Sequence, residues 1–309
     1  MNIQTNISKG SFNNFRFYLI MVIFLGFFGI LIPFIVSAST IKATPQICIS
    51  LLAYPIVFRL TREFEFENEI NDFVYQITTV ITWIVVALVT FVLGIFFIPI
   101  MLILPQSRFK LMFIGSAVII YCFGVRVKHV GLLPKKDGPY IICPNHTSFL
   151  DYFLSTYIMG WKGKYTVVHG SNLHGIPFIG SVMKKWLISV DRSDSRTFFP
   201  MIKQMRRALE DGYNVLIYPE GGRKTEAQTK SGIILNRFKP GAFNVACDLG
   251  LPIVPITIIG ADTFKPKDSS RWWLQHCWVK IVFHEPISSE NVFPERLSEM
   301  TRQAIMSAL

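Results

Sequence analysis

A layered α/β domain carried behind a membrane-length apolar anchor is the architecture that this 309-residue sequence predicts. Three observations carry that expectation. Charge and apolarity are split along the chain. Two charge-free runs in the N-terminal third are long enough to cross a bilayer. After residue 125 the texture changes to short β-rich runs alternating with helical stretches, the pattern of stacked strands and helices.

The split is sharp. Hydrophobic residues make up 51% of the chain and charged residues 17%, greasier than an ordinary soluble domain. Residues 1–106 hold Lys9, Arg16, Lys42, Arg59 and Arg62 against Glu63, Glu65, Glu67, Glu69 and Asp72, a balance of zero. The net charge of +11 therefore belongs to residues 107–309, where 26 basic residues face 15 acidic ones. A neutral, apolar anchor joined to a basic remainder suits a domain drawn to anionic lipid surfaces. Nucleic acid is disfavoured as a partner, because no zinc-finger or RRM-type signature accompanies the charge. The five cysteines (Cys48, Cys122, Cys143, Cys247, Cys277) are scattered, with no C-x-x-C pair, so neither a disulfide framework nor a zinc site is indicated. A reducing compartment is the simplest setting.

Residues 17–36 form the first apolar run, preceded by Lys9 and Arg16. Its length matches a spanning helix and exceeds the ~7–15 residues of a signal-peptide core. Residues 73–105 contain no charge; a span near 75–97 is expected there, with Pro99 and Pro105 as breakers and an interfacial stretch beyond. A third run near residues 111–125 is short, and either lies at the interface or packs as a buried helix. Residues 1–125 thus read as a membrane anchor and 126–309 as the catalytic-type domain. Two spans and the basic flanks favour an integral membrane protein with that domain facing the cytoplasm.

Within the domain, strands are expected at 140–143, 165–168, 186–190, 215–218, 253–258 and 278–283. Helices are expected at 149–159, at 196–209 with an apolar stripe of Phe198, Ile202, Met205 and Leu209, and at 239–249 with Gly250 as C-cap.

The first chemical constellation is Asn145-His146-Thr147-Ser148-Phe149-Leu150-Asp151, after the strand at 140–143. Five residues separate His and Asp by about 140° on a continuous helix, so they meet only if His146 lies in the loop and Asp151 in the first helical turn. Ser148 as N-cap and Asp151 at N3 give the capping-box arrangement. Asp151 then accepts one imidazole N–H, which leaves the other nitrogen free to take a proton. Backbone N–H groups near Asn145 are candidate oxyanion donors. The spacing alone is weak, but three further blocks follow. They are Ser171-Asn172-Leu173 with Gly175 to Gly180 and the strand ending Val190-Asp191-Arg192; Tyr218-Pro219-Glu220-Gly221-Gly222-Arg223; and Leu251 to Ile256 around Pro255. Small residues admit a ligand close to the backbone, and arginine supplies a planar fork for phosphate. Lys184 and Lys185 are weaker candidates for the same anion.

In this order the blocks resemble the PlsC-type glycerolipid acyltransferase family, which includes the 1-acylglycerol-3-phosphate acyltransferases, over roughly residues 126–285. The resemblance implies a glycerol-3-phosphate-acyltransferase-like layered α/β domain with a mixed central sheet, behind membrane-associated helices. It makes His146 the general base and Asp151 its orienting partner, with Asn145 and Ser148 in support. It assigns Arg192, Glu220, Gly221 and Arg223 to the acceptor's glycerol and phosphate, and Pro255 to the acyl-donor side. The expected substrates are a lysophospholipid, 1-acylglycerol-3-phosphate foremost, and an acyl-CoA or acyl-carrier-protein thioester, with phosphatidic acid as product. No cofactor or metal is needed; His129, His169, His174, His276 and His284 lack ligand spacing. Two departures concern the headgroup: Gly222 replaces the usual Thr of Glu-Gly-Thr-Arg, and Ser171-Asn172-Leu173 replaces Lys-Glu-Leu. Two rival readings are a covalent mechanism through Cys143 or Ser148, and a non-catalytic anionic-lipid binder.

Overall fold

The computed structural model describes residues 68–133, 138–160, 163–176, 178–264, 267–268, 274 and 278–309. The expected span at 17–36 lies outside them, as do Cys48, Pro177 and Cys277. Helix α1 (Asn68–Ile103) is 36 residues long and carries Pro99 inside it. The expected break at Pro99 does not occur. Proline there removes one N–H, but the flanking residues keep their helical hydrogen bonds and the helix runs on to Ile103. Pro105 does stop it. The preceding Leu104 is driven to φ −122°, ψ 76°, outside the helical region. Tyr75–Ile103 is long and apolar enough to cross a membrane, and Ile84, Phe91, Phe96 and Ile103 stand exposed along it.

Helix α1 meets the rest of the domain at several points, Trp83 against Phe123 (5.4 Å) and Phe149 (5.9 Å) among them, and most closely at Gly94. At Gly94 an added Cβ would lie 2.4 Å from Phe178 Cγ, so only glycine leaves the notch that this ring fills. Phe178 also meets Phe91 edge-on at 5.4 Å and is held at φ 61°, a left-handed conformation rare for a bulky residue.

Helix α2 (Arg108–Cys122) settles the third apolar run as a packed helix. It buries Met112, Ile119 and Ile120 and lies on α3 (Asp151–Met159). Phe113 stacks on Tyr157 at 5.5 Å, and the Ser116 and Thr156 hydroxyls hydrogen-bond across the interface.

Seven strands form one mixed sheet in the order β1-β7-β6-β2-β5-β3-β4. They are β1 (Arg126–Val130), β2 (Ile141–Pro144), β3 (Tyr165–Gly170), β4 (Ile188–Val190), β5 (Asn214–Leu216), β6 (Ile253–Ile259) and β7 (Trp278–Phe283). All pairs are parallel except β6 with β7. The register aligns Ile141 with both Val215 and Ile253. Side chains alternate across the sheet. Ile141, Cys143, Val168, Val190, Val215 and Ile253 share one face with residues of α5 (Phe198–Glu210), α7 (Gly241–Leu249) and α8 (Pro294–Met306). Ile142, Val167, Leu216 and Val254 are buried on the other face.

Four elements escape the sequence pattern: β1, α4 (Ile179–Trp186), the short α6 (Glu226–Lys230) and α8. Strand β1 is a partly exposed edge with basic residues interleaved, and α8 buries only Leu297, Thr301 and Ile305 in an otherwise polar helix. On α5 the inward stripe is Met201, Met205 and Leu209. Phe198, expected in it, is 45% exposed because the helix begins there and the ring lies past the end of the core. Gly250 takes the left-handed C-cap of α7 (φ 63°) as expected.

Candidate active site

The C-terminal ends of β2, β3, β4, β5 and β6 lie along one edge of the sheet, where open parallel sheets gather ligands. The loop leaving β2 is pinned at three points. Asn145, buried, donates from Nδ2 to the Ile258 carbonyl (2.9 Å) and accepts at Oδ1 from the Ile258 N–H (2.6 Å), clasping β6. The His146 N–H donates to Glu220 Oε1 (2.7 Å). Asp151 Oδ2 accepts from the Thr147 N–H (2.7 Å) and the Ser148 N–H (3.0 Å).

The same oxygen of Asp151 lies 2.6 Å from His146 Nδ1. An ionised carboxylate only accepts, so Nδ1 carries the hydrogen and Nε2 keeps its lone pair. His146 is 15% exposed and Asp151 1%, which leaves the imidazole open to a ligand and its brace sealed from water. Tyr218 stacks under the imidazole, 4.5 Å between centroids. Its hydroxyl and that of Ser155 both donate to the Asp151 carbonyl (2.8 and 2.6 Å), fixing the first turn of α3. Burial, then the Asp151 charge, push the Tyr218 phenol well above its ordinary pKa, so it stays a neutral donor.

Two expectations need correction. Ser148 is not the N-cap. The helix begins at Asp151 with Leu150 as the flanking residue, and Ser148 Oγ accepts only from the Leu150 N–H at 3.3 Å. The carboxylate is drawn back to two loop N–H groups and the imidazole, so α3 starts later than a capping box requires. The N–H groups of His146, Thr147 and Ser148 are all occupied, so these three are not open to an oxyanion. Glu220 braces the site through the backbone. It is buried, with Oε1 held by the His146 N–H and Oε2 by the Asn236 N–H (2.9 Å). Burial raises its pKa, while those backbone donors and the His146 ring pull the other way.

Arg192 follows β4 on a loop fastened by Thr197, whose Oγ1 accepts from the Asp191 N–H (3.1 Å) and donates to the Asp191 carbonyl (2.8 Å). Burial, then the nearby Arg223 charge, hold the Arg192 guanidinium below its ordinary pKa. Among the described residues neither arginine has a carboxylate partner. A Cβ on Gly222 would lie 3.7 Å from Arg192 Nη1, so the glycine found where threonine is usual leaves the guanidinium room. Gly221 takes φ +69°, with the Lys239 stem packed 3.5 Å from where a Cβ would sit. Lys239, read from the sequence only as part of a helix start, lines the same pocket as Arg192. Lys184 and Lys185 sit exposed in the last turn of α4, away from it. Pro255 is buried within β6, paired with Cys143, three residues before the Ile258 that clasps Asn145. Cys143 is fully buried, and burial pushes its thiol far above the ordinary range, which makes it a core side chain rather than a nucleophile.

Fold and site together define an α/β domain in which a carboxylate-braced imidazole faces a cluster of unpaired cations at the sheet's C-terminal edge. Residues 125–259 match the family model described as Acyltransferase. A chloroplastic 1-acyl-sn-glycerol-3-phosphate acyltransferase of Brassica napus is 31% identical over 50% of this chain and 42% of its own length. The 1-acyl-sn-glycerol-3-phosphate acyltransferase of Saccharomyces cerevisiae is 27% identical over 58% of this chain and 57% of its own length. This chain spans about half the length of the curated relatives it matches. The crystal structure of PlsC from Thermotoga maritima shares the fold, with a TM-score of 0.54 and 19% identity, over 74% of this chain and 95% of that one.

Proposed function

We propose that this protein is a membrane-bound O-acyltransferase that moves a fatty acyl group from a thioester to the free hydroxyl of 1-acylglycerol-3-phosphate. The observation that carries the proposal is the 2.6 Å contact between His146 Nδ1 and Asp151, which fixes the tautomer and leaves Nε2 open beside unpaired cations. The activity named for the relatives points to the same chemistry.

In the proposed reaction Nε2 takes the proton of the acceptor hydroxyl as its oxygen attacks the thioester carbonyl. The tetrahedral intermediate collapses with departure of the thiolate, which receives the proton from the imidazolium. One C–O bond forms and one C–S bond breaks, with no acyl-enzyme. Arg192 and Arg223 hold the phosphate, and positioning the two substrates supplies much of the acceleration. Acyl-CoA or an acyl carrier protein supplies the thioester, and no cofactor or metal takes part. The anchor of residues 1–125 is proposed to be integral, with the domain of residues 126–309 facing the cytoplasm. The apolar helix Tyr75–Ile103 and the +11 charge of residues 107–309 support this.

The test compares purified wild type with His146→Ala for transfer from labelled acyl-CoA to 1-acylglycerol-3-phosphate. A loss of about 10²–10⁴-fold is expected for removal of a general base. Equal rates would remove His146 from the mechanism.

A further inference from the structure

A cavity of about 480 Å³ opens between α5, α7 and the ends of β3, β4 and β5, within the size range of small-ligand pockets. Its floor is apolar, with Val168, Val190, Ile202, Ile217 and Ala242 among its walls, and its cations are Arg192 and Lys239. Tyr218, whose ring stacks under His146, forms part of the wall. The pocket therefore begins at the phosphate-type cations, includes Tyr218, the neighbour of the base, and continues into the side of the sheet covered by α5 and α7. It is lined to take an anion attached to an apolar body.

We infer that this pocket holds the existing acyl chain of the lysophospholipid acceptor, with its phosphate on Arg192 and Arg223, and with Lys239 at the pocket mouth beside them. The inference deepens the acceptor reading above and rests on it. The chemistry favours the acceptor over the donor. In a lysophosphatidic acid only a glycerol separates phosphate from chain, so cations at the mouth of an apolar pocket match both ends at once. In acyl-CoA the phosphates lie a whole pantetheine arm away from the acyl chain. A site shaped for that chain has no reason to carry cations at its entrance. Each methylene moved from water into such a wall contributes about 0.8 kcal/mol, so occupancy shows as a dependence on acceptor chain length.

The location is tested with His146→Gln protein in phosphatidylcholine nanodiscs and a lysophosphatidic acid carrying a diazirine at the end of its chain. Photolabel on peptides covering residues 198–205 and 241–244, displaced by excess unlabelled 1-oleoylglycerol-3-phosphate, is the expected result. Label confined to α1 and α2 peptides, or α5 and α7 labelled only by a diazirine acyl-CoA, overturns the assignment. A second variant, Ile202→Trp, fills the pocket from α5. The wild-type preference for the oleoyl over the hexanoyl acceptor, at least about tenfold in Kd, should fall to within about twofold, while the hexanoyl affinity changes little. A tenfold change corresponds to 1.4 kcal/mol, and a preference that survives the substitution also overturns the assignment. Both arms read binding to folded protein rather than turnover. Failure of acyl transfer in wild type therefore refutes the reaction and leaves the pocket, whereas label elsewhere refutes the pocket and leaves the reaction.

Discussion

The loop from Asn145 to Asp151 and the cation cluster of Arg192, Arg223 and Lys239 sit at the same edge of the sheet and are built on opposite principles. In the loop the anchoring polar groups have partners. Asn145 clasps Ile258, the His146 N–H meets Glu220, and one Asp151 oxygen gathers two backbone N–H groups and the imidazole. In the cluster the two guanidiniums lie close enough to repel, with no carboxylate partner among the described residues, and Arg192 is held below its ordinary pKa by burial and by Arg223. One region is complete before any ligand arrives; the other is completed by one. A base must be aimed in advance. A phosphate site that neutralised its own charge would have nothing left to bind with.

The strongest break of this contrast is Asp151→Asn. The replacement is nearly isosteric, but its amide places an N–H₂ where three donors now converge. The imidazole loses the acceptor that fixes its tautomer, and a related substitution in a serine protease costs about 10⁴-fold in kcat. We expect a fall in kcat of about 10³-fold or more with the KM for acceptor little changed, together with a lower Tm. A variant that keeps wild-type kcat would mean that Asp151 serves the loop's architecture alone.

Arg192→Ala probes the other half. Removing one of two repelling cations should leave the Tm of the ligand-free protein unchanged or slightly raised, whereas the KM for 1-acylglycerol-3-phosphate should rise about ten- to hundredfold, in line with a charged hydrogen bond worth about 1.5–3 kcal/mol. Inorganic phosphate should raise the Tm of wild type and not that of the variant. If Arg192→Ala destabilises the apo protein and leaves the KM alone, the arginine is structural and the contrast between the two regions disappears.

How far each region was legible in the sequence follows from the same difference. The β2 strand, the His146 loop and the α3 helix could be read because a five-residue spacing is compatible with only one loop-to-helix geometry. Arg192 was marked by the short apolar strand before it, and Arg223 by the two glycines that precede it. Glu220 was read as a ligand-binding group because a carboxylate beside two glycines looks like one. Its partners are the backbone N–H groups of His146 and Asn236, far away in the chain and invisible to spacing. Tyr218 and Lys239 carried no signal of their own, since a tyrosine at a strand end and a lysine before a proline are ordinary. The mixed sheet was expected from the resemblance, but its edge strand β1 was not, because Arg126–Val130 alternates charge and apolarity over only five residues.

The smallest expected effect is on stability with pH, and it separates the site from the scaffold. His129, His169 and His284 lie away from the base, and burial lowers the pKa of each below its ordinary 6.5. A group whose folded pKa is depressed in this way binds its proton more readily in the unfolded chain. Stability is therefore fully present above about pH 6.5 and is lost as the pH falls from there toward the folded values. Glu220 works in the opposite direction. Its raised pKa means that acidification above the ordinary carboxylate range relieves a buried charge, so it offsets part of the loss. A drop in Tm of a few degrees between pH 7 and pH 5.5 is expected, by scanning calorimetry, for a domain of this size. His169→Asn should reduce that drop without altering the pH dependence of kcat, since His169 is buried with Nδ1 against the Gly170 carbonyl at 3.0 Å and takes no part in the proton transfer. A kcat profile that shifts with His169→Asn would show that the base and the scaffold histidines titrate together, and the division between a finished loop and an unfinished cluster would have to include the histidines as well.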